Sequence, residues 1–121
     1  MSKTVLSVDD SKSIRDMIDF TLRPHGYEVI GAGDGVEGLA ALAAQKVDLV
    51  VCDLNMPNMN GIEMIRKLRD DRAHDGLPVV MLTTEAQKEK MKEAKEAGAT
   101  GWIVKPFDEA KLVSVVARLI G

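Results

Sequence analysis

Five short apolar runs, each cut off by a polar or glycine break and followed by an apolar stripe at helical spacing, restrict this chain to very few folds. The runs are residues 4–8, 27–32, 49–52, 79–82 and 102–104. Each is too short for a helix, and the purest of them, Leu49-Val50-Val51-Cys52, is too continuous for a half-exposed strand. Such runs read as strands covered on both faces, as in parallel sheets. Between them the apolar residues fall three or four apart. Ile14, Met17, Ile18 and Leu22 form the first stripe, with Gly26 just past its end, and Val36, Leu39, Ala40 and Ala43 form the second, ending near Lys46. Ile62, Ile65 and Leu68 follow Gly61, and Leu112, Val113, Val116 and Leu119 mark a last helix over 108–120. The fourth helix, expected over 85–97, is crowded with Lys and Glu and carries only Met91 and Ala94 as an apolar line, so it should be mostly exposed. Strand and helix in regular alternation predict an α/β fold: a doubly wound, five-stranded parallel sheet with five helices on its two faces and right-handed connections.

The length of 121 residues fits one domain over 1–121. No linker, low-complexity tract or charged tail interrupts it, so no appended output domain is expected, and the chain is expected to be a monomer. With 45% hydrophobic residues but only 3% aromatic, the core must be built from aliphatic side chains, alanine and methionine. A net charge of -3 supplies no basic field for a phosphate backbone, so nucleic acid is not expected as a direct partner, whereas a protein or a small anion remains open. Cys52, the one cysteine, cannot form an internal disulfide, which agrees with a reducing compartment and a cytoplasmic location. The N-terminus has no apolar signal core, and no run of about 18 apolar residues is present to span a membrane.

Asp53 ends the third run and opens a loop of Pro, Asn and Gly. Alone, an Asp in that place is an ordinary turn residue. In a doubly wound sheet, however, the carboxyl ends of the strands share one edge, which is where such folds bind ligands. That edge would collect Asp9 and Asp10, Asp53, Thr83 and Thr84, and Lys105. Clustered carboxylates repel and raise one another's pKa, a cost that a cation removes. An oxygen-rich set with few protein ligands suits Mg²⁺, which keeps waters and bridges to phosphate. Lys105 adds a positive charge, Thr83 a hydroxyl donor, and a carboxylate such as Asp53 can attack phosphorus to give an aspartyl phosphate.

These residues, in this order and spacing, resemble the receiver domains of two-component response regulators, and within them the stand-alone chemotaxis members. The motifs are VDD at 8–10, DLNMPNMNG at 53–61, PVVMLTTE at 78–85 and KPF at 105–107. The resemblance implies a flavodoxin-like fold and a phosphorylation switch rather than an enzyme acting on a separate substrate, though one that assists its own phosphorylation and autodephosphorylation. It makes Asp53 the phosphoacceptor, Lys105 and Thr83 the residues that act on the phosphoryl group, and Thr83 with Trp102 the switch pair. It further implies that Mg²⁺ is held by Asp10 and Asp53, by Asp9 mainly through water, and by the backbone carbonyl of Asn55. Asn55 and Glu85 would line the water's approach, and the bond before Pro106 would be cis, fixing Lys105 toward the site. The family usually has Tyr or Phe where Trp102 stands, and its chemotaxis members often have Trp at the position of Leu54.

The implied partners are a histidine kinase as phosphodonor, a phosphatase, and a protein target on the face of helix four, strand five and helix five, the flagellar motor switch being the foremost. A phosphorelay intermediate or phosphate sink has the same architecture. A magnesium phosphohydrolase with an aspartyl-phosphate intermediate would want a second acid two residues after the nucleophile, where this chain has Asn55. A flavin-binding electron carrier would want a hydroxyl-rich loop after strand one, where this chain has two carboxylates.

Overall fold

The computed structural model describes residues 2–121, apart from the side chain of Glu85, so the expected role of Glu85 lies outside what is described. Five parallel strands form one sheet in the order β2-β1-β3-β4-β5: β1 (Thr4–Val8), β2 (Glu28–Ala32), β3 (Leu49–Asp53), β4 (Val79–Thr84) and β5 (Gly101–Lys105). The helices are α1 (Lys12–Leu22), α2 (Gly35–Ala44), α3 (Gly61–Asp70), α4 (Lys90–Ala97) and α5 (Glu109–Ile120). All five residues of β1 and of β3 are buried, as their unbroken apolar runs demand of strands covered on both sides. Side-chain alternation then divides the core in two. Leu6, Val8, Val50 and Cys52 pack with α2, α3 and α4, while Val5, Leu49, Val51 and Leu82 pack with α1 and α5. No helix among the described residues is long and apolar enough to cross a membrane.

The helical stripes of α1, α3 and α5 are confirmed. Ile18 and Leu22, then Ile62, Ile65 and Leu68, and finally Leu112 and Val116 are all buried. Two expectations for the helices need correction. On α2 the buried residues are Gly35, Gly38 and Leu42, whereas Val36 is 53% exposed and Ala40 and Ala43 face solvent. The helix is apolar nearly all round, so its sequence does not mark a face. The face is set by the glycines, which let the backbone sit against Met59, Met64 and Val8, where an added Cβ would fall 2.9–3.0 Å away and force its neighbours to shift. The fourth helix does not begin at residue 85. A 3₁₀ turn over Glu85–Gln87 comes first and the α-helix starts at Lys90, where Glu89 makes no side-chain cap bond. Only Ala94 of α4 is buried, so the expected exposure of this helix holds.

Arg69 at the end of α3 ties the far side of this layer together. Its guanidinium donates to the carbonyls of His74 at 2.8 Å, Leu77 at 2.7 Å and Gly98 at 2.9 Å, and Gly98 is the left-handed residue that ends α4, with φ +119°.

Candidate functional site

Strand register alone brings the site residues side by side. Val8 lies opposite Cys52, which sets Asp9 beside Asp53, the residue that ends β3. Asp53 lies opposite Leu82, so Thr83 is one residue further toward the same edge, and Thr84 is paired with Lys105. Lys105 reaches back across this edge, and its Nζ donates to Asp53 Oδ1 at 3.0 Å and lies 3.6 Å from Asp9 Oδ2. The Lys105-Pro106 bond is cis, as the resemblance implies.

Asp9 is 1% exposed and Asp53 7%, while Asp10 faces solvent. One oxygen from each of the three lies within 4.8 Å of the others. Asp9 Oδ1 accepts the backbone N–H of Ser11 at 2.8 Å, but its Oδ2 is buried without a hydrogen-bond partner, and so is Thr83 Oγ1. Buried oxygens are seldom left so, and two of them at the edge of one carboxylate cluster suit a hard cation and an anion bound to it. The donor set therefore fits Mg²⁺.

Asp9 has its pKa pushed up, first by burial and then by the neighbouring Asp53 charge; the Ser11 N–H and Lys105 oppose this, and Asp10 adds least. Mutual repulsion, the cause expected from the sequence, thus ranks behind desolvation, because Asp10 stands in water. Cys52 is fully buried under the site, where desolvation and the carboxylates push its thiol far above its ordinary pKa, leaving it an inert packing group.

The loop from β3 to α3 is fixed at both ends. Leu54 N–H donates to the carbonyl of Leu82 at 3.2 Å, Gly61 N–H to the carbonyl of Leu54 at 2.9 Å, and Asn60 caps α3 in a reciprocal box with Glu63. Leu54 is buried in the core. Asn55 stands on the loop and lines, with Ala86, Gln87 and Lys90, an open cavity of about 370 Å³ toward α4. Trp102 is 41% exposed and borders another of about 340 Å³ with Phe107 and Lys111. It is an outward-facing aromatic rather than one packed away between helices.

Some residues at this edge escaped sequence reasoning. Arg15 donates to the carbonyl of Asp9, the side chain of Gln87 accepts Thr84 N–H at 2.8 Å, and Gly61 sits against the carbonyl of Asp53. None carries a periodic signal, since each acts through a backbone atom of another residue rather than by burying an apolar side chain. Asp34 and Asn60 were legible in principle, because each stands three residues before a Glu at a helix start.

Residues 5–117 match the family model described as the response regulator receiver domain. The DNA-binding response regulator MtrA of Mycobacterium tuberculosis is 40% identical over 120 residues, covering 98% of this chain and 51% of that protein, so the chain spans about half the length of this curated relative. Among solved structures, the chemotaxis protein CheY4 of Vibrio cholerae superposes with a TM-score of 0.94 at 43% identity, covering 99% of this chain and 100% of that one. The receiver domain of NtrX from Brucella abortus gives 0.89 at 30% identity over 96% of this chain and 97% of its own. With the carboxylate cluster, the lysine and the sheet order in place, the chain belongs to the response regulator receiver domains of two-component systems.

Proposed function

We propose that this chain is a phosphorylation switch that takes a phosphoryl group from a phosphohistidine of a histidine kinase onto Asp53. The observation that carries the reading is Lys105 Nζ held 3.0 Å from Asp53 Oδ1, at an edge where buried Asp9 Oδ2 and Thr83 Oγ1 lack hydrogen-bond partners. An Asp53 oxygen attacks phosphorus, the phosphorus–nitrogen bond breaks, and its electron pair stays on the imidazole ring. Lys105 faces the charge that gathers on the phosphoryl oxygens, and Thr83 Oγ1 has a hydrogen free to donate to one of them. Mg²⁺, held by Asp9, Asp10, Asp53 and the Asn55 carbonyl, would neutralise the remaining charge. Water reaching Asp53 past Asn55 through the cavity toward α4 would return the switch to rest. Thus the chain assists its own phosphorylation and dephosphorylation but acts on no separate substrate.

Phosphorylated, the chain would present α4, β5 and α5 to a protein target in the cytoplasm, as a monomer and with a phosphatase as a further partner. The full-length likeness to CheY4 supports a flagellar motor switch protein as that target. The MtrA likeness supports a second reading, in which the receiver governs a DNA-binding regulator. With a net charge of -3, this chain is assigned no DNA contact of its own. Relay or sink roles use the same transfer to Asp53.

The test is incubation with acetyl phosphate and Mg²⁺ followed by peptide mapping. A base-labile adduct is expected on the Asp53 peptide and absent in Asp53→Asn, and an adduct that survives in Asp53→Asn would refute the assignment. A second measurement follows the switch. As Thr83 is drawn to the phosphoryl group, its loop should vacate space beside β5, and burying part of the half-wet indole of Trp102 gains about 1 kcal/mol, enough to bias two conformers without locking them. Beryllium fluoride with Mg²⁺ is therefore expected to shift Trp102 emission to the blue, and Thr83→Ala to remove the shift. No shift in the wild type would make Trp102 a static residue.

A further inference from the structure

The loop that carries Asn55 is held from outside the site by a side-chain contact that the phosphoryl chemistry does not use. Asn58 Nδ2 donates to Asp34 Oδ2 at 2.8 Å, joining residues 24 apart in sequence. Asn58 takes φ +67° and is the one non-glycine in the left-handed region among the described residues. Asparagine tolerates that region better than most residues, but it is still chosen against the steric preference of the chain. The other oxygen of the same carboxylate, Asp34 Oδ1, accepts Glu37 N–H at 2.9 Å and caps α2, while Glu37 Oε1 accepts Gly33 N–H at 3.0 Å. Asp34 is thus fixed by the helix it caps, and it in turn fixes Asn58. Beneath the contact Met59 lies against Gly35, where any added Cβ would come within 3.0 Å of three Met59 atoms. The loop tip is therefore seated on the start of α2 by one hydrogen bond and one close apolar contact, only three residues beyond Asn55.

We infer that Asp34 and Asn58 are positioning residues for the cation: the contact between them holds the β3–α3 loop where the Asn55 carbonyl completes the ligand set begun by Asp9, Asp10 and Asp53. A loop left free at its tip would have to be ordered when the metal binds, and that ordering is subtracted from affinity. The contact makes the ordering beforehand, as part of folding. The inference rests on the proposed use of this edge as a Mg²⁺ site.

The experiment is calorimetric titration of the purified chain with Mg²⁺, paired with thermal melts in EDTA. Asn58→Gly keeps the left-handed backbone accessible and deletes the donor, at the cost of a looser backbone for which the double variant controls. It is expected to weaken Mg²⁺ about fivefold while the melt in EDTA moves little. Asn58→Asp sets two carboxylates against each other and should also weaken the metal. Adding Asp34→Asn to it restores a hydrogen bond of reversed polarity, with the new amide donating to the new carboxylate, and should recover most of the affinity. Mg²⁺ affinity equal to wild type in Asn58→Gly, or a double variant as weak as Asn58→Asp, would overturn the inference and leave the metal site standing. Failure of the wild type to bind Mg²⁺ would remove both together.

Discussion

Gly61→Ala is expected to lower stability by about 2–3 kcal/mol, the upper range for overpacking a filled site, and the melting temperature by about 10 °C. A Cβ at this position would lie 2.5 Å from the carbonyl oxygen of Asp53 and 2.7 Å from Met81 Cε. The methionine end can turn away, but the carbonyl cannot, because the next residue, Leu54, is bonded to the Leu82 carbonyl and accepts from Gly61 itself. The substitution must therefore push apart the end of β3 and the start of α3, moving the Asp53 carboxylate relative to Lys105. Labelling by acetyl phosphate should fall along with the melt. Gly101→Ala is the matched control, since nothing lies within 4 Å of a Cβ there and it should be nearly neutral. If Gly61→Ala melts like Gly101→Ala and labels like wild type, the close approach does not constrain the site.

Asp9→Asn should have the opposite effect on stability while weakening the response to metal. Because burial holds the Asp9 pKa above its ordinary value, the folded chain keeps a proton there that the unfolded chain has already released. The stabilisation this gives is complete below about pH 4, where both states are protonated. It is lost as pH rises through the raised folded value. Above that value, in EDTA, the wild type carries a buried charge, offset only in part by Lys105 at 3.6 Å. Asparagine removes the charge and still offers an oxygen to the Ser11 N–H. We expect the variant to be more stable than wild type at pH 7, with the gap closing toward about pH 4. Mg²⁺ should raise the wild-type melt more than that of the variant. A variant that melts lower than wild type in EDTA at pH 7 would show that the Lys105 pair outweighs desolvation.

The strands and the residues at their ends were readable because a strand covered on both faces leaves an unbroken apolar run and stops where its chemistry begins. The end of β3 at Asp53 is the plainest case. What could not be read depends on shape and on pairings between distant loops rather than on apolar periodicity. The orientation of α2 is decided by where Gly35 and Gly38 admit Met59, Met64 and Val8, and no apolar stripe records an absent Cβ. The late start of α4 has a similar cause: with only Ala94 buried, periodicity gives a weak guide to where the helix begins. The Asp34–Asn58 contact joins two loops through polar atoms, and such pairing leaves no periodic mark. Trp102 was recognisable as the aromatic of β5, but its exposure follows from the open ground around it, which only the packed chain reveals.

The three carbonyls gathered by Arg69 give α4 the mechanics of a lever. One end is fastened, because the Gly98 carbonyl is bonded to a guanidinium that also grips the His74 and Leu77 carbonyls. The other end begins beside the Thr83 loop with no side-chain cap, and only Ala94 is sunk in the core between them. A pull on that loop is therefore expected to turn α4 about its Arg69 end rather than slide it along its axis. The surface around Lys90 would travel further than the end at Ala97, with the exposed Arg66–Glu93 pair at 3.3 Å as a side-chain tie between α3 and α4 that must give.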